Sequence, residues 1–102
     1  MNIHPLTLAF LGTVAARPGM FMRDFDLRAL EQQLYGYEMA LRDAEVMGEH
    51  EYFNFAFSEY LRGSQGLSCP EGWAVALTTT QSDAQQAFTI FYELLSKMTS
   101  GG

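Results

Sequence analysis

The chain has few of the groups on which most enzyme chemistry depends. It contains one cysteine, Cys69, and two histidines, His4 and His50, among 102 residues. A lone cysteine excludes an internal disulfide, so cysteine usage gives no sign of an oxidising compartment. Its neighbours Ser68 and Pro70 supply neither a base nor a positive field, and an inert thiol is expected. Bases are scarce as well. Six Lys and Arg face twelve Asp and Glu, a formal net charge of −6. A field of that sign repels nucleic acid and anionic lipid and attracts basic partners. No apolar run reaches the roughly 18 residues of a membrane span. There is no phosphate-cradling glycine loop, no CxxC pair and no GxSxG elbow. Glu49-His50-Glu51 lacks the second histidine of a zincin helix, and its consecutive positions diverge. The expectation is a protein with no catalytic residues, no metal and no cofactor.

What is present is core material. Eight Phe, five Tyr, one Trp and six Met accompany a hydrophobic fraction of 48%, which suits one globular domain. The spacing predicts an all-α domain of four to five helices over residues 1–102, with residues 97–102 a frayed tail. Pro5–Ala16 reads as a first helix with proline in its first turn. The segment is apolar nearly all round, which places it in the core. It also looks like the apolar region of a signal peptide. The basic residues that should precede such a region are absent, so a cytoplasmic protein is expected.

Asp26 predicts the N-cap of a second helix, with Phe25 stapled onto Leu30. Leu27, Leu30, Leu34, Tyr37, Leu41 and Ala44 then follow at helical spacing. Tyr35, Met39, Arg42 and Val46 are read as widening the buried side. Glu38 and Arg42 are read as an exposed i,i+4 pair. Gly36 suggests a close helix approach, and Gly48 a stop. Glu49–Arg62 reads as a third helix with Glu49 and Glu51 in its first turn, where they suit the dipole. The alternation of Phe53, Phe55 and Phe57 leaves a strand as its alternative. Trp73–Thr80 stays open between helix and strand. Ser82 with Gln85 predicts a capping box for a last helix, with Ala84, Phe88, Phe91, Leu95 and Met98 on one face.

The charge is not evenly spread. Residues 38–62 carry six acids and two bases, a net of −4, among several aromatics. Aromatics ringed by acids suit a basic protein surface, where the rings anchor and the charges steer. The candidate partner-binding residues are therefore Glu38, Glu45, Glu49, Glu51, Tyr52, Phe55 and Glu59.

Three stretches have a familiar order: Arg17-Pro18-Gly19-Met20-Phe21, then Leu27-Arg28-Ala29-Leu30 with Leu34-Tyr35-Gly36-Tyr37, then the aromatic-rich Ala87–Leu95. The order resembles small helical bacterial immunity proteins of polymorphic and contact-dependent growth inhibition toxin systems, over about half the chain. The resemblance implies a protein that neutralises a cognate toxin by stoichiometric binding. An acidic chain fits a basic nuclease toxin domain as partner. The alternative is a small helical adaptor or oligomeric subunit that self-associates through the same aromatics.

Overall fold

Helix starts and stops account for most of the architecture. The computed structural model describes residues 2–100. Among these residues there are five α-helices and one 3-10 turn: α1 Pro5–Ala16, the turn Pro18–Met20, α2 Leu27–Asp43, α3 Phe53–Gln65, α4 Trp73–Thr80 and α5 Ala84–Thr99. There is no strand among the described residues, only an isolated bridge between Ile3 and Glu51. The fold is a compact all-α bundle, as expected.

α1 has the predicted bounds, and His4 caps it by accepting the Leu6 N–H on Nδ1 at 3.0 Å. Its expected place in the core is wrong. Only Thr7, Leu11 and Val14 of this helix are buried, and Leu6, Ala9, Gly12, Thr13, Ala15 and Ala16 face solvent. The reason lies in side-chain size: the larger rings and leucines of α2 to α5 already fill the centre. α1 packs from outside, through Phe10 on Tyr37 and Phe21 and through the Tyr92 hydroxyl, which donates to the Leu11 carbonyl at 2.7 Å.

α2 starts as predicted, with Asp26 Oδ1 accepting the Arg28 N–H. Phe25 packs on Phe88, with ring centroids 5.1 Å apart. The helix ends before Gly48, because Glu45 takes the left-handed conformation (φ 60°) that usually falls to glycine. Gly36 has open space around it, not a neighbouring helix. α3 begins at Phe53, so Glu49 and Glu51 lie in the preceding loop and not in a first turn. It also runs past Arg62 to Gln65, and Gly66, left-handed at φ 65°, stops it.

Trp73–Thr80 is helix. The hydroxyls of Thr78, Thr79 and Thr80 bond back to carbonyls of the preceding turn, which accommodates three β-branched residues at the end of α4. The cap of α5 is Asp83, one residue later than expected, and its Oδ1 accepts the Gln86 N–H at 2.8 Å. Lys97–Thr99 continue that helix with Met98 buried, so they are not a frayed tail. Gly101 and Gly102 lie outside the described residues.

The centre is an aromatic cluster. Phe53, Phe57, Trp73 and Phe91 are fully buried, with Trp73 stacked on Phe91 at 4.6 Å and Phe57 edge-on to both. Phe53 and Phe57 are one helical turn apart and share the inner face of α3, which is why the strand alternative fails. Leu30, Leu34, Phe91 and Leu95 are buried, whereas Leu41 and Phe88 are half-buried at the margin.

Candidate protein-binding surface

The largest departure from expectation is Glu38. It is 1% exposed. Its Oε2 accepts the Thr7 hydroxyl at 2.7 Å, and its Oε1 accepts the Phe53 N–H at 2.7 Å. The carboxylate therefore ties α1 to α2 and caps the N-terminus of α3, whose own Tyr52 offers no side-chain cap. Glu38 is therefore not open to a partner, as the sequence suggested, nor is it an exposed partner of Arg42.

Glu31 does the same for α4. Its Oε2 accepts the Ala74 N–H at 3.2 Å, where the local cap Gly72 has no side chain. Glu31 and Glu38 thus stand two turns apart on α2, each reaching the positive end of another helix. Burial pushes both carboxyl groups above the ordinary carboxylate range. Hydrogen bonds from Ala74 and Trp73 oppose this at Glu31, and bonds from Thr7 and Phe53, with the charges of His4 and Arg42, oppose it at Glu38. Asn54 completes the arrangement, donating to the Glu31 carbonyl and accepting the Trp73 indole N–H at 2.8 Å. The inward stripe Leu27, Glu31, Leu34, Glu38 has 4, 3, 4 spacing, and that spacing carries the signal that could have placed both acids inside.

The remaining candidates divide between two places. Glu45, Glu49 and Glu51 are exposed on the loop between α2 and α3. That loop is held by the N-terminal segment: Asn2 Nδ2 donates to the Glu49 carbonyl, and the Glu51 N–H donates to the Asn2 carbonyl, both at 2.9 Å. The His4 and His50 rings meet edge-on at 4.6 Å beside it. Glu51, Phe55 and Glu59 come together around an open hollow of about 500 Å³. Tyr60 also lines it, and Ala56 and Met98 form its buried floor.

Phe55 is 65% exposed and so, of the two candidate rings, is the one left open to solvent. Tyr52 is half-buried and already engaged. The Arg42 guanidinium stands 4.5 Å above its ring, and its hydroxyl contacts Met39 Sδ. Tyr35, missing from the candidate set, is 57% exposed and lies 6.5 Å from Tyr52. The stripe of Tyr35, Met39, Arg42 and Val46 therefore belongs to the surface. Tyr37, by contrast, is consumed in packing on Phe10 at 4.9 Å. The two exposed aromatics are linked through the dipeptide Glu51-Tyr52: one residue lines the Phe55 hollow, and the other adjoins Tyr35.

Elsewhere, burial pushes the half-buried Cys69 thiol upward, away from thiolate character. Among the described residues no three His, Cys, Asp or Glu side chains are grouped to hold a metal ion, and no helix is long and apolar enough to cross a membrane. Comparison with protein-family models, with curated proteins and with solved structures finds no match for this chain.

Proposed function

We propose that this chain is a binding protein that masks a basic surface on another protein, and that it acts as the immunity protein of a bacterial toxin, a basic nuclease domain being its partner. One observation supports the reading above others. A largely exposed phenylalanine, Phe55, stands between two exposed carboxylates, Glu51 and Glu59, over an apolar floor. Large rings left in water are costly unless something covers them, and aromatic anchors with acidic rims suit a cationic partner. The loop acids Glu45 and Glu49 extend the same negative field along the approach.

The test is co-expression with a basic nuclease domain encoded beside this chain's gene. Under the proposal the pair forms a 1:1 complex, and cells carrying both grow, whereas cells carrying the nuclease alone do not. A chain that neither forms the complex nor restores growth refutes it.

The second reading, an adaptor or oligomeric subunit, draws on the outer face of α1. That face carries no charge and exposes Leu6, Ala9 and Ala16. Mass measurement in solution separates the two, because self-association requires a species of at least twice 11.5 kDa.

A further inference from the structure

We infer that His4 and His50 form a proton-operated latch between the N-terminal segment and the loop joining α2 to α3, closed when both imidazoles are neutral and opened when both are protonated. The inference goes beyond the proposed function and does not depend on what the chain binds. The two rings flank the point where the segments meet. Ile3 bridges Glu51, the Glu51 N–H donates to the Asn2 carbonyl, and Asn2 Nδ2 donates to the Glu49 carbonyl. His4 follows that junction on one segment and His50 precedes it on the other, with ring centroids 4.6 Å apart. They are the chain's two histidines, and histidine is the side chain whose charge ordinarily changes between pH 5 and 8.

Hydrogen bonding makes the two rings unequal. His4 Nδ1 accepts the Leu6 N–H at 3.0 Å, so the neutral ring carries its proton on Nε2. His50 Nδ1 lies 2.7 Å from the Met47 carbonyl, which can only accept, so this ring carries its proton on Nδ1. A proton added at His50 Nε2 leaves the bond to Met47 intact. A proton added to His4 must go to Nδ1, where it turns the acceptor into a donor facing a donor. The cap of α1 is then lost, and turning the ring over does not restore it, because a carbon takes the place of Nδ1. The new cation also faces the positive end of α1 and the edge of a second cation. The surrounding charges pull both ways. From α2, the Glu38 carboxylate favours a charged His4. Its two oxygens already accept from Thr7 and Phe53, and no acceptor can replace the lost acceptor for the Leu6 N–H. Arg42, also on α2, adds positive charge from the other side, with Nη2 donating to the His50 carbonyl at 2.9 Å and its guanidinium over Tyr52, the residue before α3. Glu49 and Glu51 on the loop are exposed, so water and salt weaken their pull. With both rings charged, three cations gather at an uncapped helix start, and the junction at Asn2 and Ile3 gives way. The loop it held carries Glu45, Glu49 and Glu51.

The experiment follows the full chain, labelled with nitrogen-15, by NMR from about pH 8 to about pH 5. At the upper end, ring-nitrogen spectra should show opposite tautomers, Nε2–H at His4 and Nδ1–H at His50. Exchange of the Glu51 amide with water, corrected for its intrinsic rate, should rise about ten-fold as the pH falls, the size expected for loss of a helix cap. The nuclear Overhauser effect between the two rings should fade over the same range. His4→Asn supplies a side-chain cap that does not titrate, so its corrected exchange should change less than about two-fold. His50→Phe keeps a ring at the contact and removes the second charge, so its opening should come at lower pH than in the wild type. Circular dichroism confirms that each variant is folded. The same tautomer in both rings, or corrected Glu51 exchange that does not rise in the wild type, overturns the inference. An equal rise in His4→Asn also overturns it, and assigns the pH response to a carboxyl group such as Glu38.

Discussion

Replacing Glu38 tests the central structural claim, that an acid from α2 caps a helix it does not belong to. In Glu38→Leu the side chain keeps its bulk and its burial but loses both acceptors. The Thr7 hydroxyl can turn back to a carbonyl of its own helix, as Thr13 does to Ala9. The Phe53 N–H has no such recourse, because it opens α3 and is buried beside the aromatic cluster. An orphaned buried donor costs about 1–3 kcal/mol, and a lost negative charge at a helix N-terminus about 0.3–2 kcal/mol more. The variant is relieved of the cost of burying a carboxylate, so a net loss of about 2–3 kcal/mol is expected. For a domain of this size that lowers Tm by roughly 10–20 °C. Glu38→Gln keeps an acceptor for Phe53 and offers its amide to Thr7, and should cost under about 1 kcal/mol.

The two variants also differ in pH dependence. Burial raises the Glu38 carboxyl above its ordinary value of 4.5, so the folded chain holds that proton to higher pH than the unfolded chain does. Its contribution to stability is full below about pH 4.5 and is lost as pH rises through the folded value. Glu38→Gln removes that decline, so the glutamine variant gains on the wild type as pH rises above the ordinary value of 4.5. Urea melts followed by the buried Trp73 at several pH values measure both effects. A Glu38→Leu loss below about 0.5 kcal/mol would refute the capping argument, and a pH-independent difference between wild type and Glu38→Gln would refute the burial argument.

Three further outcomes follow from the packing. Leu34→Ala, at a fully buried position between the two inward acids, should cost about 2–5 kcal/mol in a urea melt; a loss well under 1 kcal/mol would place it outside the core. Gly72→Ala should destabilise by about 1–3 kcal/mol, because Gly72 has φ 98° and a Cβ there would lie 2.6 Å from Glu31 Oε2. Combining it with Glu31→Ala in a double-mutant cycle should recover part of that loss but not the backbone strain, and strict additivity would show that the two side chains do not meet. Tyr92→Phe removes the hydroxyl that donates to Leu11 and should cost about 0.5–1.5 kcal/mol, with faster hydrogen exchange along α1 as the local readout.

Local signals carried much of the fold. α1 and the start of α2 were legible because Pro5 and Asp26 mark them chemically and apolar spacing runs on from each. The position of α1 was not legible, because a helix of small apolar residues looks buried by hydropathy yet fills too little volume to compete for the centre with Trp73, Phe53, Phe57 and Phe91. Glu38 was misread, and Glu31 was not singled out, for a different reason. A charge on a helix defaults to the solvent face, and this default hides an acid whose partner is a backbone N–H on another helix. Two features did point inward. Both acids fall on the apolar stripe with Leu27 and Leu34, and neither α3 nor α4 begins with a residue able to cap itself, since Tyr52 and Gly72 stand there. A helix start without a local cap obliges some other group to supply the acceptor.

That obligation changes how the acidity should be understood. With Glu38 withdrawn, residues 38–62 present Asp43, Glu45, Glu49, Glu51 and Glu59 against Arg42 and Arg62, a net of −3 where composition alone gave −4. The bases are not free either: Arg42 lies over Tyr52, and Arg62 holds Glu59. What remains unneutralised is concentrated at Glu45, Glu49 and Glu51, on a loop bridged to the N-terminal segment at Asn2 and Ile3. Such charges act mainly on the rate of encounter, and salt weakens them over a Debye length of about 8 Å. Replacing all three with glutamine should therefore slow association with a basic partner several-fold at low salt and leave dissociation nearly unchanged. Phe55→Ala should do the reverse, because a ring seated in a pocket acts after encounter. Stopped-flow kinetics at two ionic strengths separates the two roles. An unchanged on-rate in the triple variant at low salt would reduce the loop acids to a solvated surface and leave Phe55 as the whole of the recognition.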